Sequence, residues 1–219
     1  MSNPPESVFK LLLEHRKAFL KAKPFADETG HTVPCDTKSW SQILASLLLN
    51  IRGIERKKGA DLADGSDVKA ANSWDAIDVP RFNGVVKGER ILSSSKASDL
   101  EKMPNLVFVL WDETEKGKYD RCRVWIVRTS KDKVFRSVAE KWYKGNKKST
   151  NFQLHPPIGR DDNIVTNTWG NLALPLLIDL RFINGAWTVK TYVPDVLRDG
   201  LCELAESPKK RRSSAKRAS

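Results

Sequence analysis

Two stretches near the N-terminus carry apolar residues at helical spacing. The first runs from Pro5 to Lys23 and is followed by Pro24, which favours the end of a helix. The second runs from Lys38 to Lys57 with a continuous apolar stripe, and Gly59 follows it. These patterns predict two amphipathic helices, with Asp36, Thr37 and Ser39 as candidate N-caps of the second.

Strand patterns dominate the rest of the chain. Two apolar runs, Asn105–Trp111 and Arg121–Arg128, flank a polar loop and predict adjacent antiparallel strands. A helix is predicted over Lys131–Lys144. The runs Pro175–Phe182 and Ala186–Tyr192, joined by an Asn-Gly pair, predict a second hairpin.

Two segments have less regular patterns. Residues 60–72 contain a turn sequence, Ala63-Asp64-Gly65, and predict either a short hairpin or a strand that is entered through a turn. Residues 151–171 are rich in Asn, Pro and Gly and have no sustained period. A long irregular segment in a compact domain is often functional, so this one is a candidate binding loop.

Composition limits the class of protein. Hydrophobic residues make up 40% of the 219 residues, which is enough for a packed core. The longest apolar runs are too short to span a bilayer, and charged residues interrupt any N-terminal signal-like stretch, so we expect a cytoplasmic protein without a membrane role. The three cysteines are isolated from one another, which argues against a zinc site.

The net charge of +11 is distributed unevenly. Residues 207–219 hold six Lys and Arg residues and no acid, so the remaining chain carries +5. This tail is predicted to be disordered and available for phosphate contacts. The mildly basic remainder favours a polyanionic partner such as nucleic acid.

The segment from Gly59 to Asn72 contains the most specific chemistry in the sequence. In a strand, Asp67 and Lys69 project from the same face, and Asp61 lies just before the turn. Two converging carboxylates beside a lysine are suited to Mg²⁺ and phosphate chemistry. Asp64 competes with Asp61 as the first acid, and a solvated turn with surface charges is the alternative to any site here.

Helix, acid pair, lysine and core strands in this order resemble the PD-(D/E)xK nucleases, in particular the type II restriction endonucleases. The resemblance implies an α/β fold with a central mixed β-sheet flanked by helices. It implies catalytic roles for Asp61, Asp67, Lys69 and a helix acid, Glu55, with Mg²⁺ held by Asp61, Asp67 and Val68. Residues 1–206 are then a single nuclease domain, divided into an N-terminal helical part (1–35), a catalytic core (36–130) and a part with the helix, recognition loop and hairpin (131–206).

The implied activity is sequence-specific hydrolysis of double-stranded DNA by a homodimer, since two cuts in a palindromic site match a twofold axis. Side chains that suit base or backbone contacts lie near the acid pair and in the two loop regions. The candidates are Asn72, Ser73, Arg81, Asn83, Gln153, His155, Arg160, Asn163 and Asn167. A MutH-like repair or nicking endonuclease and a non-catalytic nucleic-acid-binding protein are the alternative functions.

Overall fold

A computed structural model of the chain describes residues 3–31, 33–34, 36–55, 60–74, 80–83, 100–115, 118–145 and 152–206. The helices are α1 (Glu6–Thr29), α2 (Lys38–Leu49), α3 (Lys133–Gly145) and α4 (Val196–Asp199). The strands are β1 (Asp67–Asn72), β2 (Leu106–Asp112), β3 (Arg121–Val127), β4 (Ile164–Val165), β5 (Asn171–Ala173), β6 (Leu176–Ile183), β7 (Ala186–Tyr192) and β8 (Glu203–Ala205).

Five of the strands form one mixed sheet in the order β1-β2-β3-β6-β7. Strand β1 pairs with β2 in parallel, and all other neighbours in this sheet are antiparallel. A smaller sheet contains β4, β5 and β8. The predicted hairpins β2–β3 and β6–β7 are confirmed, and the second turns through Asn184 and Gly185, both at positive φ.

Apolar layers cover both faces of the central sheet. Val107, Val109 and Trp111 of β2 pack in one cluster with residues of α1 and α2. Leu106 and Phe108 belong to the opposite cluster, which contains the buried face of α3. Burial on both faces explains why β2 and β3 are uninterrupted apolar runs rather than alternating ones. The predicted α/β class, a mixed sheet flanked by helices, is confirmed.

Both N-terminal helices end where the sequence pattern did not predict. Helix α1 continues through Pro24 and ends at Gly30, whose left-handed conformation caps it. The helix tolerates the missing N–H of Pro24, and Ala26, two residues later, packs in the core. Helix α2 ends at Leu49 because Asn50 adopts a left-handed φ of 53°, so its predicted extension to Lys57 is wrong.

The hairpin alternative for residues 60–72 is also wrong. The turn at residues 63–65 is present, with the Gly65 N–H bonded to the Leu62 carbonyl. However, Leu62 forms its bridge with Gly53, and β1 instead pairs with β2. The segment is therefore a strand that is entered through a turn and lies at the outer edge of the sheet. Among the described residues, no helix is long and apolar enough to cross a membrane.

Candidate active site

The first residues of β1 bring an acid and a lysine into contact. The Lys69 Nζ lies 2.7 Å from the Asp67 Oδ2, and the two side chains are 16% and 15% exposed. Both face the same side of the sheet because they are two positions apart in a strand. Val68, between them, faces the other way and is buried in the cluster with α1 and α2. This part of the predicted geometry is present.

Asp61 joins the pair from the turn that precedes β1. Its Oδ2 accepts the backbone N–H of Val68 at 2.9 Å, and its Oδ1 accepts the Nε2 N–H of Gln42 at 2.6 Å. The Val68 N–H is available because β1 is an edge strand and this residue points away from β2. The Val68 carbonyl faces the same open edge, since the N–H and C=O of one strand residue point to one side.

Asp64, the competitor for the first acid, is used in the turn. Its two carboxylate oxygens accept the Ser66 backbone N–H at 2.9 Å and the Ser66 hydroxyl at 2.8 Å. This is the local bonding by which Asp stabilises a turn, and the residue is exposed. The structure therefore places Asp61, and not Asp64, beside Asp67.

The two neighbouring carboxylates perturb each other. Burial is the main reason that the pKa of Asp61 is raised to about 6, and the adjoining Asp67 carboxyl raises it further. The Val68 N–H and the Lys69 ammonium oppose this increase. A perturbed acid beside a second acid is the electrostatic pattern expected of a functional site.

The donor set of this cluster suits a hard cation. It combines two carboxylates with a backbone carbonyl at one open edge, and a bound cation would relieve the repulsion that raises the Asp61 pKa. Within the described ranges, no group of three or more His, Cys, Asp or Glu residues could hold a metal ion. Asp61 and Asp67 supply two such residues and the Val68 carbonyl one backbone oxygen, which would leave the remaining coordination positions of a cation to water or phosphate.

Three predicted residues do not lie where the sequence suggested. Glu55 is not in the last turn of α2 but lies beyond its end, exposed, so its expected position as a helix acid is wrong. Asn72 and Ser73 lie at the opposite end of β1 from Asp67. The Asn72 side chain is 7% exposed and bonds to Thr37 and to the Trp74 N–H, so it supports the fold there rather than lining the acid cluster.

Four of the predicted DNA-contacting residues come together. An isolated antiparallel bridge joins Phe82 to Leu154, and both of these side chains are buried. Because side chains alternate along extended chain, the flanking positions point away from the core. We call these flanking residues the loop strip: Arg81, Asn83, Gln153 and His155. The His155 Nδ1 also lies 3.3 Å from the Pro80 carbonyl, which holds the two segments together.

The loop strip and the acid cluster share one face of the sheet. Lys69 is the register partner of Phe108, and the side chains of such partners in a parallel pair point the same way. The Phe108 ring lies 5.0 Å from the Phe82 ring at the base of the strip. The Phe82 segment that carries part of the strip therefore packs over the same face of the sheet from which Lys69 projects.

The other three loop candidates are engaged within the fold. Asn163 accepts the Trp125 indole N–H at 3.1 Å, and Arg160 donates to the Ile164 carbonyl at 2.9 Å. The Asn167 amide accepts the Trp169 N–H and donates to the Gln153 carbonyl. These contacts shape the loop behind the strip, a role that the sequence did not distinguish from DNA contact.

A buried charge network also escaped the sequence analysis. Arg123 and Asp112 form a fully buried pair at 2.9 Å, and Arg121 pairs with Asp179 at the same distance. Arg123 also donates to the carbonyls of residues 157, 160 and 162. The signal was an Arg-x-Arg pair on one face of an otherwise apolar strand. We call this set of contacts the arginine clamp, because it fastens the loop to the sheet.

The chain resembles known proteins over most of its length. A family model described as MamI restriction endonuclease matches residues 24–188, a range that contains the acid cluster, the loop strip and the arginine clamp. The type II restriction enzyme MamI of Microbacterium ammoniaphilum is 34% identical over 180 residues, covering 76% of this chain and 58% of that enzyme. The chain thus spans less than two thirds of the length of this relative. No solved structure matches this chain of 219 residues.

Proposed function

Because the chain belongs to the MamI restriction endonuclease family, we propose that it is a Mg²⁺-dependent type II restriction endonuclease that cuts double-stranded DNA at a specific sequence. The observation that carries the proposal is the contact of Asp61, Asp67 and Lys69 at the open edge of β1. The related type II enzyme supports the class of reaction. We infer that the protein acts in the cytoplasm.

Asp61, Asp67 and the Val68 carbonyl are the residues that would hold the ion. When bound, Mg²⁺ supplies a Lewis acid for the phosphate and lowers the pKa of an attacking water. Asp61 is held at both oxygens by N–H donors, so its carboxylate is oriented before a ligand arrives. Preorganisation of this kind avoids the cost of reordering the site during the reaction.

Lys69 has two tasks in this arrangement. Its ammonium lies 2.7 Å from the Asp67 carboxylate and compensates its charge. This lowers the electrostatic cost of placing two carboxylates side by side in a partly buried site. The same cation lies where negative charge accumulates on a scissile phosphate and would stabilise that charge. An ammonium provides both effects as a compact point charge on a flexible stem.

The loop strip is proposed to read the DNA. Amide, guanidinium and imidazole groups are displayed together by Arg81, Asn83, Gln153 and His155, and these groups suit base edges and phosphates. The Phe82 segment of the strip packs over the sheet face from which Lys69 projects, and we propose that one DNA segment reaches both. A homodimer would place two such surfaces on a palindromic site.

A plasmid cleavage assay tests the proposal directly. Purified protein with Mg²⁺ should convert plasmid DNA to linear product and discrete fragments. We expect Asp61→Asn, Asp67→Asn and Lys69→Met each to reduce the cleavage rate by about 100-fold or more, the loss typical for one group that stabilises transition-state charge. Asp64→Asn is the matched control, since this exposed turn residue should retain activity.

Other outcomes separate the alternatives. Open-circle product that never becomes linear would indicate a nicking enzyme and would contradict paired cutting by a dimer. Retention of the wild-type rate in both Asp67→Asn and Lys69→Met would refute the assigned site. Loss of activity in Asp64→Asn but not in Asp61→Asn would identify Asp64 as the first acid.

A further inference from the structure

Gln42 connects helix α2 to the first acid of the site. Its Nε2 lies 2.6 Å from the Asp61 Oδ1, and the Val68 N–H lies 2.9 Å from the Asp61 Oδ2. An ionised carboxylate only accepts hydrogen bonds, so the Gln42 amide must present its NH₂ group to Asp61. Each carboxylate oxygen therefore has one N–H donor, which fixes the rotation of the carboxylate plane.

Helix α2 holds Gln42 in a defined place. Ser41, its neighbour, is buried, accepts the Trp111 indole N–H at 2.8 Å and donates to the Thr37 carbonyl at 2.6 Å. Leu44 and Ala45 are fully buried against the sheet. The helix backbone that carries Gln42 is thus anchored to β2, and the amide is presented by a rigid element rather than by a loop.

We propose that Gln42 is a positioning residue that keeps the Asp61 carboxylate oriented for a divalent cation; this rests on the proposed function. Without the amide, the repulsion between Asp61 and Asp67 would rotate the Asp61 carboxylate away from its neighbour. A glutamate on the helix would add a third negative charge, whereas the neutral amide supplies a donor without adding charge. The helix thus contributes Gln42 to the site, not the acid expected at Glu55.

Cation binding in the absence of DNA is the first measurement. Mn²⁺ titrated into the full chain, with free Mn²⁺ followed by electron paramagnetic resonance, gives the affinity of the wild type and of Gln42→Met. Methionine has a similar length, suits a helix and has no donor. We expect affinity to fall about 10- to 100-fold, the usual effect of removing a partner that orients a metal ligand. Ile43→Ala, an exposed change on the same helix, should leave affinity unchanged.

Cleavage kinetics are the second measurement. In Gln42→Met the Mg²⁺ concentration for half-maximal cleavage should rise by the same factor, whereas KM for DNA and the rate at saturating Mg²⁺ should change less than threefold or so. A residue that serves only the stability of the fold would not produce this split. Thermal melting of Gln42→Met and Ile43→Ala without metal checks that both variants fold. Gln42→Ala replaces Gln42→Met if Gln42→Met does not fold.

The results distinguish this inference from the proposed function. If the wild type binds Mn²⁺ and cleaves DNA while the folded Gln42 variant binds Mn²⁺ with wild-type affinity, the positioning role is overturned and the nuclease function stands. A lower cleavage rate at saturating Mg²⁺ with unchanged Mn²⁺ affinity also overturns it. If the wild type neither binds Mn²⁺ nor cleaves DNA, the function fails and the inference fails with it.

Discussion

At the level of single residues, the two acids of the site have different surroundings. Asp67 is paired with the Lys69 ammonium and shares the Val68 N–H, whereas Asp61 accepts from the neutral donors Gln42 and Val68. Burial is the main cost of ionising Asp61, and the neighbouring Asp67 carboxyl adds to it. Together they raise the pKa of Asp61 to about 6, although the Val68 N–H and the Lys69 ammonium oppose the increase.

Metal binding should therefore depend on pH in the slightly acidic range. A proton and a cation compete for the Asp61 carboxylate, and its pKa is raised to about 6. Mn²⁺ affinity should be nearly constant above about pH 7 and should fall towards a limit of about tenfold per pH unit below about pH 6. Titrations from about pH 5 to 8 measure this.

The Asp61→Asn variant is the control for that pH dependence, because it cannot ionise at this position. The Mn²⁺ affinity of this variant should be low and should not change with pH around pH 6. Constant wild-type affinity down to about pH 5 would show that Asp61 is not the titrating ligand.

At the level of elements, β3 performs two tasks at once. One set of its side chains fills the apolar layers, and Arg121 and Arg123 bind the carboxylates and loop carbonyls of the arginine clamp. Burial is the main cause of the lowered Arg123 pKa, about 10, and the nearby Arg121 lowers it further, while Asp112 raises it. The clamp stabilises the loop only while each of its charges is compensated.

The losses of unfolding free energy caused by replacing Arg123 and Asp112 should be strongly non-additive. Arg123→Met or Asp112→Leu alone leaves an uncompensated buried charge and should lower the free energy of unfolding by about 3–5 kcal/mol. The double variant should cost at least about 1 kcal/mol less than the sum of the two single effects. Urea unfolding of the four proteins measures the cycle.

The exposed pair Arg198–Asp195, 74% and 76% exposed, is the matched control for this cycle. Its single and double neutral variants should add within about 0.5 kcal/mol. Additive behaviour at Arg123 and Asp112 as well would contradict their energetic coupling.

At the level of the whole molecule, the proposed DNA surface has two parts. The acid cluster and the loop strip share one face of the central sheet. The basic residues 207–219, which lie outside the described residues, add six positive charges by sequence. Charge alone attracts phosphate without regard to sequence, so we expect the tail to contribute to affinity and the strip to specificity.

Deletion of residues 207–219 should thus change salt dependence without changing the cut site. If all six cations contact phosphate, the slope of log K against log salt should become less steep by up to about 5. Fluorescence anisotropy of a labelled duplex, with Ca²⁺ replacing Mg²⁺, measures the slope. A full-length variant with the six cations changed to Gln separates charge from length.

Both tail variants should produce the same DNA fragments as the wild type. An unchanged salt slope would exclude phosphate contacts by the tail, and altered fragments would assign part of the recognition to it.

Much of the fold and part of the site could be predicted from local sequence patterns. Strands β2, β3, β6 and β7 could be predicted because the apolar runs that form them and the turn residues between them lie close together in the sequence. The pairing of Asp67 with Lys69 was likewise predictable, since alternation along a strand places positions i and i+2 together. The predicted start of the second helix at Lys38 is confirmed, and Asp36 accepts the Lys38 N–H there at 2.9 Å.

Contacts between distant segments settled the remainder. The sequence by its own periodicity determined which segments are strands and that Asp67 and Lys69 share a face. It did not determine that β1 pairs in parallel with β2, that α2 stops at Asn50, or that Gln42 reaches Asp61. Those outcomes depend on which buried surfaces meet in space, and the free energy of that packing is a property of the assembled molecule rather than of any one segment.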